Sequence, residues 1–299
     1  RRINGNNEDF FISKLKNGQW EPAQPASGNI NTPQSEAAQT LSADGHWMIY
    51  SANGRKDSYG NYDLYMSELT PQGWQDTYHF GSRINSDQWE SQPSLSPDNK
   101  DLYFASRRPG GYGGIDIYVS HLQPNGYFSE PENLGPNVNT PGDEFSPFYD
   151  KASKAFYFSS TGHPGLGGLD VFKANGAPES WGIAYNMGAP VNSSCDDIYF
   201  ILDDKGKRGY EVSNRPGTKT IRGETCCDDI WRIQVEPKLR VAGKVLNART
   251  QQPVNDVVVK MTSENGEVKT INSPDGTFTY GTPRGHAYVF VGDKDRFTS

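Results

Sequence analysis

Four acidic side chains recur at a constant interval along the chain, and their chemistry needs explaining first. They follow one another in steps of 54, 54 and 53 residues, as Glu36, Glu90, Glu144 and Asp197. If the fold placed them around the mouth of a channel, they could attract a cation or a basic peptide segment. Their recurrence with the period of the fold favours the alternative that each acid hydrogen-bonds the backbone of the neighbouring repeat.

A second acidic series precedes runs of strand-forming residues. Its steps are 54, 53, 54 and 59, at Asp9, Asp63, Asp116, Asp170 and Asp229. An acid that is present in every repeat is more typical of a structural role than of a unique active site. Its carboxylate can accept hydrogen bonds from the amides of the preceding glycine-rich loop, and would then fix the entry into the next strand.

Two further series keep the same period. Aromatic side chains stand at Trp20, Trp74, Phe128 and Trp181. A pair made of an apolar residue and asparagine follows each of them, as Ile30-Asn31, Ile84-Asn85, Val138-Asn139 and Val191-Asn192. We expect the aromatic side chains to pack between neighbouring repeats. Four series that stay in phase establish that the repeat is real.

All three cysteines fall in the last repeat, where the step lengthens to 59 residues. In an oxidising compartment, we expect a disulfide from Cys195 to either Cys226 or Cys227. Reduced, buried thiols are the rival interpretation, and a bridge between the two adjacent cysteines is the weakest. Zinc bound by three cysteines and an acid is conceivable, but an adjacent pair cannot provide ordinary CxxC geometry.

Other kinds of chemistry find little support in the sequence. The histidines at 46, 79, 121, 163 and 286 lack metal-ligand spacing. The segments 110–114 and 165–168 are glycine-rich but are not followed by the lysine or helix of a phosphate cradle. The loop 57–63 has oxygen ligands without the spacing of an EF-hand. The sequence therefore predicts no catalytic residue, no metal site and no cofactor.

The elements that would position these residues are short strands. From Glu90 to Asn139 the sequence predicts four antiparallel strands separated by turns, with no helical periodicity. Four strands in each repeat of about 54 residues are typical of a β-propeller blade rather than of a solenoid. We expect five blades, of which the first is incomplete because the chain begins within a repeat.

Composition limits the class of partner. The 299 residues carry a net charge of -7, which argues against a surface for nucleic acid or anionic membranes. The chain contains 16 tyrosines, 14 phenylalanines and 6 tryptophans, whose large side chains can form a core. No apolar run approaches the roughly 18 residues of a membrane span.

The run SLSPDNKDLYFASRRPGGYGGIDIYVS, residues 94–120, resembles the TolB-like propeller repeat. In the last two copies Tyr149-Asp150 and Leu202-Asp203 replace the Ser-Pro-Asp of that pattern. From about Leu239, Gly243, Pro253-Val254 and the segment 273–276 resemble the carboxypeptidase regulatory-like domain, a small transthyretin-type β-sandwich. Alternation at Val257, Val259 and Met261 supports half-buried strands there. The expected domains are a propeller over 1–237 and a C-terminally truncated sandwich over 238–299.

This order of domains resembles the OmpA-family envelope lipoproteins of Bacteroidetes, especially the PorE-type component of the type IX secretion system. The resemblance implies a periplasmic protein associated with the outer membrane, with a lipid anchor upstream and peptidoglycan bound only through a domain absent here. We therefore expect a non-catalytic scaffold whose partners are other envelope or secretion-system proteins. The alternative is a propeller enzyme acting on polysaccharide, a hydrolase or lyase, which predicts residues at one channel mouth that break the repeat symmetry.

Overall fold

The computed structural model describes residues 7–150, 153–177, 180–203, 206, 208–219, 228–234, 239–264, 266, 268–282 and 287–295. Contacts divide the chain into two compact units, residues 1–233 and 234–299. The boundary expected from the sequence, after residue 237, lies close to this division. In the described residues no helix is long and apolar enough to cross a membrane.

The first two repeats differ in completeness. The first repeat has four two-residue strands: β1 (Phe11–Ile12), β2 (Leu15–Lys16), β3 (Gln19–Trp20) and β4 (Gln24–Pro25). In it β1 pairs with β4, and β2 pairs with β3. The second repeat forms a four-stranded antiparallel sheet from β5 (Ser35–Leu41), β6 (Trp47–Asn53), β7 (Tyr62–Thr70) and β8 (Gly73–His79), paired in that order. The short helix α1 (Gly81–Ile84) follows it.

The next three repeats also form antiparallel sheets. The third contains β9 (Glu90–Leu95), β10 (Asp101–Ser106), β11 (Asp116–His121) and β12 (Glu132–Asn133). The fourth contains β13 (Glu144–Asp150), β14 (Ala155–Ser160), β15 (Asp170–Ala177) and β16 (Ser180–Trp181), with β17 (Tyr185–Asn186) also on β15. The described part of the fifth contains β18 (Asp197–Leu202), β19 (Arg208–Ser213) and β20 (Asp229–Gln234).

The sheets are arranged around a common axis. Their first strands contact one another in sequence, β5 with β9, β9 with β13 and β13 with β18. Every residue of β14 is buried, as is almost all of β10, because a neighbouring sheet covers each face of these central strands. Antiparallel sheets that pack face to face around an axis form a β-propeller. We call the five repeats the first to fifth blades; the blade number of the intact propeller stays a prediction.

The described residues of the second unit form two small antiparallel sheets. One pairs β21 (Leu239–Lys244) with β24 (Thr277–Thr282), and the other places β22 (Val257–Ser263) between β23 (Val268–Ser273) and β25 (Tyr288–Asp293). The predicted alternation is confirmed, since Val257, Val259 and Met261 are buried in the core with Tyr280. Gly243 is required by close packing, because a Cβ there would lie 2.3 Å from the Phe278 ring.

Candidate functional site

The aspartate that opens the third strand of a blade fixes the loop before it. In the third blade, the Asp116 carboxylate accepts hydrogen bonds from the backbone amides of Tyr112 at 2.5 Å and Gly113 at 3.0 Å. A Cβ on Gly111 would lie 2.0 Å from Asp116 Oδ2, which explains the glycine. This is the loop-fastening role that the sequence predicts.

The other aspartates of the series hold comparable positions. Asp63 accepts hydrogen bonds from the amides of Tyr59 and Gly60, and Asp170 from those of Leu166 and Gly167. In the fifth blade, Asp229 accepts a hydrogen bond of 2.8 Å from the Lys219 amide, in a longer loop whose residues 220–227 lie outside the described part. Asp9 is buried in the first blade and lies 3.4 Å from Asn7 Nδ2.

The asparagine series ties each blade to the segment that leaves it. Asn139 accepts a hydrogen bond of 2.8 Å from the Ile117 amide and donates one of 2.9 Å to the Ile117 carbonyl. The same two-way bond joins Asn31 to Phe10, Asn85 to Leu64 and Asn192 to Val171. A side-chain amide that imitates a β-ladder in every copy belongs to the fold rather than to a single active site.

The four repeated acids lie at the beginning of the first strands but are not exposed at a channel mouth. Glu90 and Glu144 have no exposed surface, and neither does Asp197, while Glu36 is 1% exposed. Glu90 accepts hydrogen bonds from the amide and hydroxyl of Ser86, at 2.8 and 2.6 Å, and from the Ser106 hydroxyl at 2.6 Å. The structure therefore does not form the accessible acidic ring that was considered from the sequence.

The observed contacts correspond only in part to the alternative role, in which each acid hydrogen-bonds the backbone of the neighbouring repeat. The carboxylates of Glu36, Glu144 and Asp197 accept hydrogen bonds from the amide and hydroxyl four residues earlier, in the segment between blades. The amide of Glu144 also donates to the Ile115 carbonyl, at the third strand of the preceding blade. Burying the acid is tolerable because its oxygens are bonded.

Arginine compensates the buried charge in three of the four blades. Arg55 lies 3.1 Å from Glu36, Arg108 lies 3.6 Å from Glu90, and Arg215 lies 2.5 Å from Asp197. The fourth blade has no arginine there; instead His163 Nε2 lies 2.9 Å from the Val138 carbonyl. Burial raises the pKa of Glu144 above its ordinary value, which hydrogen bonds from Thr140 and Ser160 only partly offset.

Only some of the repeated aromatic side chains pack in the core, as predicted. Trp74 and Trp181 are each 5% exposed, and Phe128 is half-buried against the core between the second and third blades. Trp20 departs from the prediction, because its side chain is 58% exposed. Its blade consists of two-residue strands, and such a sheet provides no broad face to cover an indole ring.

The cysteine and metal predictions lie partly beyond what the structure describes. Cys195 is half-buried, whereas Cys226 and Cys227 lie outside the described residues, so the disulfide stays a prediction. Across the described ranges, no three His, Cys, Asp or Glu side chains are grouped in a way that could hold a metal ion.

A further series, which sequence reasoning missed, lines the central cavity. Four residues of the first strands have positive φ angles of 41°, 54°, 52° and 53°, at Ala38, Gln92, Ser146 and Tyr199. Each lies where the pairing of the first two strands changes register, which marks a β-bulge. The cavity that they line has a volume of about 350 Å³. None of these four residue types favours a left-handed backbone. Only their equivalent position in each repeat could have identified them from the sequence.

The wall of this cavity is largely neutral. Gln92 Oε1 accepts a hydrogen bond of 2.6 Å from the Ser146 amide, and the Gln92 side chain also hydrogen-bonds Tyr199. Burial raises the pKa of Tyr199 to about 12, so the phenol stays protonated at neutral pH. Unlike the acids, these bulge residues differ from blade to blade.

The loops held by the aspartates present large side chains to solvent. Three side chains at the equivalent loop position are 53%, 51% and 58% exposed: Tyr59, Tyr112 and Leu166. Their backbone amides are the donors bound by Asp63, Asp116 and Asp170. We call these three side chains the loop triad. They are large side chains on a backbone that the aspartates hold in place.

Comparison with known proteins gives no family. No family model matches the chain, and no curated protein matches it in sequence. Similar solved structures include a protein assigned as TolB from Agrobacterium tumefaciens, with 15% identity, 84% of this chain and 91% of that chain covered, and a TM-score of 0.38. Another is an α-L-arabinofuranosidase from Lactobacillus brevis, with 13% identity and a TM-score of 0.42. The match covers 73% of this chain and 74% of that chain. The propeller architecture rests on the sheets of this chain itself.

Proposed function

We propose that this chain is a non-catalytic protein-interaction region, and that the loop triad is part of its binding face. The observation that carries the proposal is the double role of each loop. Asp116 binds the Tyr112 amide, and the Tyr112 side chain remains half exposed. A fixed loop loses little conformational entropy when a partner covers it, and exposed tyrosine is frequent among the residues that dominate binding energy.

The buried acids support the non-catalytic role. Glycoside hydrolysis uses two carboxyl groups that face the substrate from opposite sides of the bond. The repeated acids instead accept hydrogen bonds from Thr32, Ser86, Thr140 and Ser193 inside the propeller. The central cavity shows blade-specific residues, but Ala38, Gln92, Ser146 and Tyr199 are neutral at physiological pH and suit binding better than acid–base catalysis.

The cellular setting is proposed on the order of the two domains. A TolB-like propeller followed by a transthyretin-type sandwich favours a periplasmic protein of the outer-membrane envelope. We propose that its partners are envelope proteins, with components of a type IX secretion system as the first candidates.

Photo-cross-linking inside cells tests the proposal. A photoreactive phenylalanine analogue replaces Tyr59, Tyr112 or Leu166 in the native protein, and adducts are identified by mass spectrometry. Val268 of the second unit, 47% exposed, provides a control position. We expect the three loop positions to give the same envelope-protein adducts. Adducts from Val268 alone would contradict the proposed face, and release of reducing or unsaturated sugars from polysaccharide would establish the enzyme instead.

A further inference from the structure

A wide cavity of the first unit lies between the second and third blades. Its volume is about 1210 Å³, and its walls come from β6, β7 and β8 on one side and from the loop before β12 on the other. Typical small-ligand sites occupy roughly 300–1,000 Å³, so the space could hold several side chains. Every residue that lines this cavity belongs to the described part of the chain.

The repeat explains why this space exists. Between the third and fourth blades, the equivalent space is filled by four aromatic rings: Tyr103, Tyr149, Phe156 and Trp181. The Phe156 ring centroid lies 5.0 Å from that of Tyr103 and 4.9 Å from that of Trp181. Tyr149 lies 5.7 Å from Trp181. The four rings form one packed group.

Smaller side chains occupy the same repeat positions between the second and third blades. Residues 54, 54, 54 and 53 positions earlier are Ile49, Leu95, Leu102 and Phe128. Three of these line the cavity, namely Ile49, Leu95 and Phe128. A core that loses ring volume without collapsing leaves a void, and voids of this kind are energetically costly. The cavity therefore lies where this pair of blades has smaller side chains than the next pair, and the volume that is missing is that of aromatic rings.

The charged side chains around the cavity favour a ligand of one sign of charge. Asp44, Arg83 and Glu130 are the charged side chains on the cavity wall. Arg83 and Glu130 lie 3.6 Å apart and neutralise one another, which leaves Asp44 as the net charge. A hydrogen bond from the Ser42 hydroxyl lowers the pKa of Asp44, so the carboxylate is ionised at neutral pH. A cationic group next to the apolar part of a ligand would complement it.

We propose that this cavity binds a segment of a partner protein that carries a large aromatic side chain beside a lysine or arginine. The ring occupies the volume that aromatic residues fill one blade later, against Phe80 and Phe128, whose rings are 5.9 Å apart. Tyr127, 59% exposed at the rim, covers the segment from outside. The inference extends the proposed interaction role to a second site, and it does not depend on the loop triad.

Phage-displayed random peptides provide the test, with the complete chain as the immobilised target. A parallel selection uses the filled variant Leu95→Tyr/Phe128→Trp, which restores two residues of the aromatic group. Synthetic copies of the recovered peptides are then titrated against both proteins. We expect peptides with an aromatic residue within two positions of lysine or arginine, and binding to the filled variant at least about 10-fold weaker, the effect of 1.4 kcal/mol.

Three controls keep the outcome decisive. Asp44→Asn retains the acceptor oxygen of the turn and should weaken binding of the same peptides about threefold by removing the charge. If the filled variant does not melt cooperatively, Leu122→Glu replaces it, because the Leu122 side chain lines the cavity and is 41% exposed. Serine substitutions in the loop triad should leave peptide binding unchanged. Equal affinity for wild-type and cavity variants, recovery of peptides without aromatic residues, or no recovery at all would overturn the inference.

Discussion

The backbone amide of Tyr112 donates a hydrogen bond to the buried Asp116 carboxylate, while the Tyr112 side chain remains half exposed. One contact thus connects the interior of the blade with its surface. Asp63 with Tyr59 and Asp170 with Leu166 repeat this relationship. The repeated aspartates hold the loops that carry the exposed groups.

Removing one of these aspartates should destabilise the propeller. Asp116→Ala leaves the amides of Tyr112 and Gly113 without their acceptor, and we expect the free energy of unfolding to fall by about 2–4 kcal/mol. Urea titration followed by tryptophan fluorescence measures it, because all six tryptophans belong to the first unit. Exposed Asp87→Ala should change stability by less than about 0.5 kcal/mol, and an equal effect of both substitutions would contradict the fastening role.

The buried acids should differ according to their basic partner. Glu90→Gln leaves Arg108 buried beside a neutral group, and we expect a loss of about 2–4 kcal/mol in unfolding free energy at pH 7. Glu144 has no arginine partner in its blade, so Glu144→Gln leaves no buried guanidinium unpaired, and we expect a smaller change, below about 1 kcal/mol. Chemical denaturation of the two variants in parallel checks the order. A larger loss of unfolding free energy from Glu144→Gln would show that arginine pairing does not determine the order of the two variants.

Glu211 should make the propeller less stable at neutral pH than at pH 4.5. It occupies an aromatic position of the repeat, is completely buried, and lies near Arg215 and Asp197. Burial raises its pKa most, the Arg215 charge opposes this and the Asp197 charge adds to it, so the pKa moves from 4.5 to about 7. A raised carboxyl pKa means that the folded state holds a proton which the unfolded state has lost, so stability falls as the pH rises from about 4.5 through 7.

Glu211→Gln should remove this dependence. The neutral amide is expected to be more stable than wild type by about 1–3 kcal/mol at pH 8 and nearly equal at pH 4.5. Thermal denaturation followed by tryptophan fluorescence at pH 4.5, 6, 7 and 8 gives the comparison. A stability difference that stays constant across this range would mean that Glu211 is not the titrating group.

The two ends of the aromatic series should respond differently to truncation. Trp181 is buried against Tyr149 and Phe156, so Trp181→Ala should cost about 3–5 kcal/mol in unfolding free energy. Trp20 is mostly exposed, and Trp20→Ala should cost less than about 0.5 kcal/mol. Urea titrations of both variants at one pH measure the contrast. Similar losses would place the Trp20 ring in a packed interface.

Local patterns proved more predictable than long-range geometry. The sequence predicted the loop-fastening aspartates because donor and acceptor lie within four residues, as for Tyr112 and Asp116. It also predicted the alternating core of the second unit through Val257 and Val259. The burial of Glu90 could not be read from its spacing, since it depends on Ser106 and Arg108 from the neighbouring strand and its loop.

The cavity between the second and third blades could have been inferred only by comparing side-chain volumes at equivalent positions. Leu95 against Tyr149 and Phe128 against Trp181 show the deficit once the repeat is aligned. Whether neighbouring side chains collapse into such a deficit depends on the packing of two sheets, which hydrophobic patterning does not encode. The positive φ of Gln92 and Ser146 likewise follows from a bulge and not from residue type.

Cross-linking of the loop triad to envelope proteins is the most direct test of the central claim. The triple variant Tyr59→Ser/Tyr112→Ser/Leu166→Ser is compared with wild type for recovery of each partner identified by photo-cross-linking, by affinity co-purification from cells that express the two proteins at equal levels. Because these side chains are exposed, we expect the unfolding free energy to change by less than about 1 kcal/mol. The account predicts that partner recovery falls at least tenfold in co-purification, with folding intact. Undiminished recovery by a stably folded triple variant would contradict it.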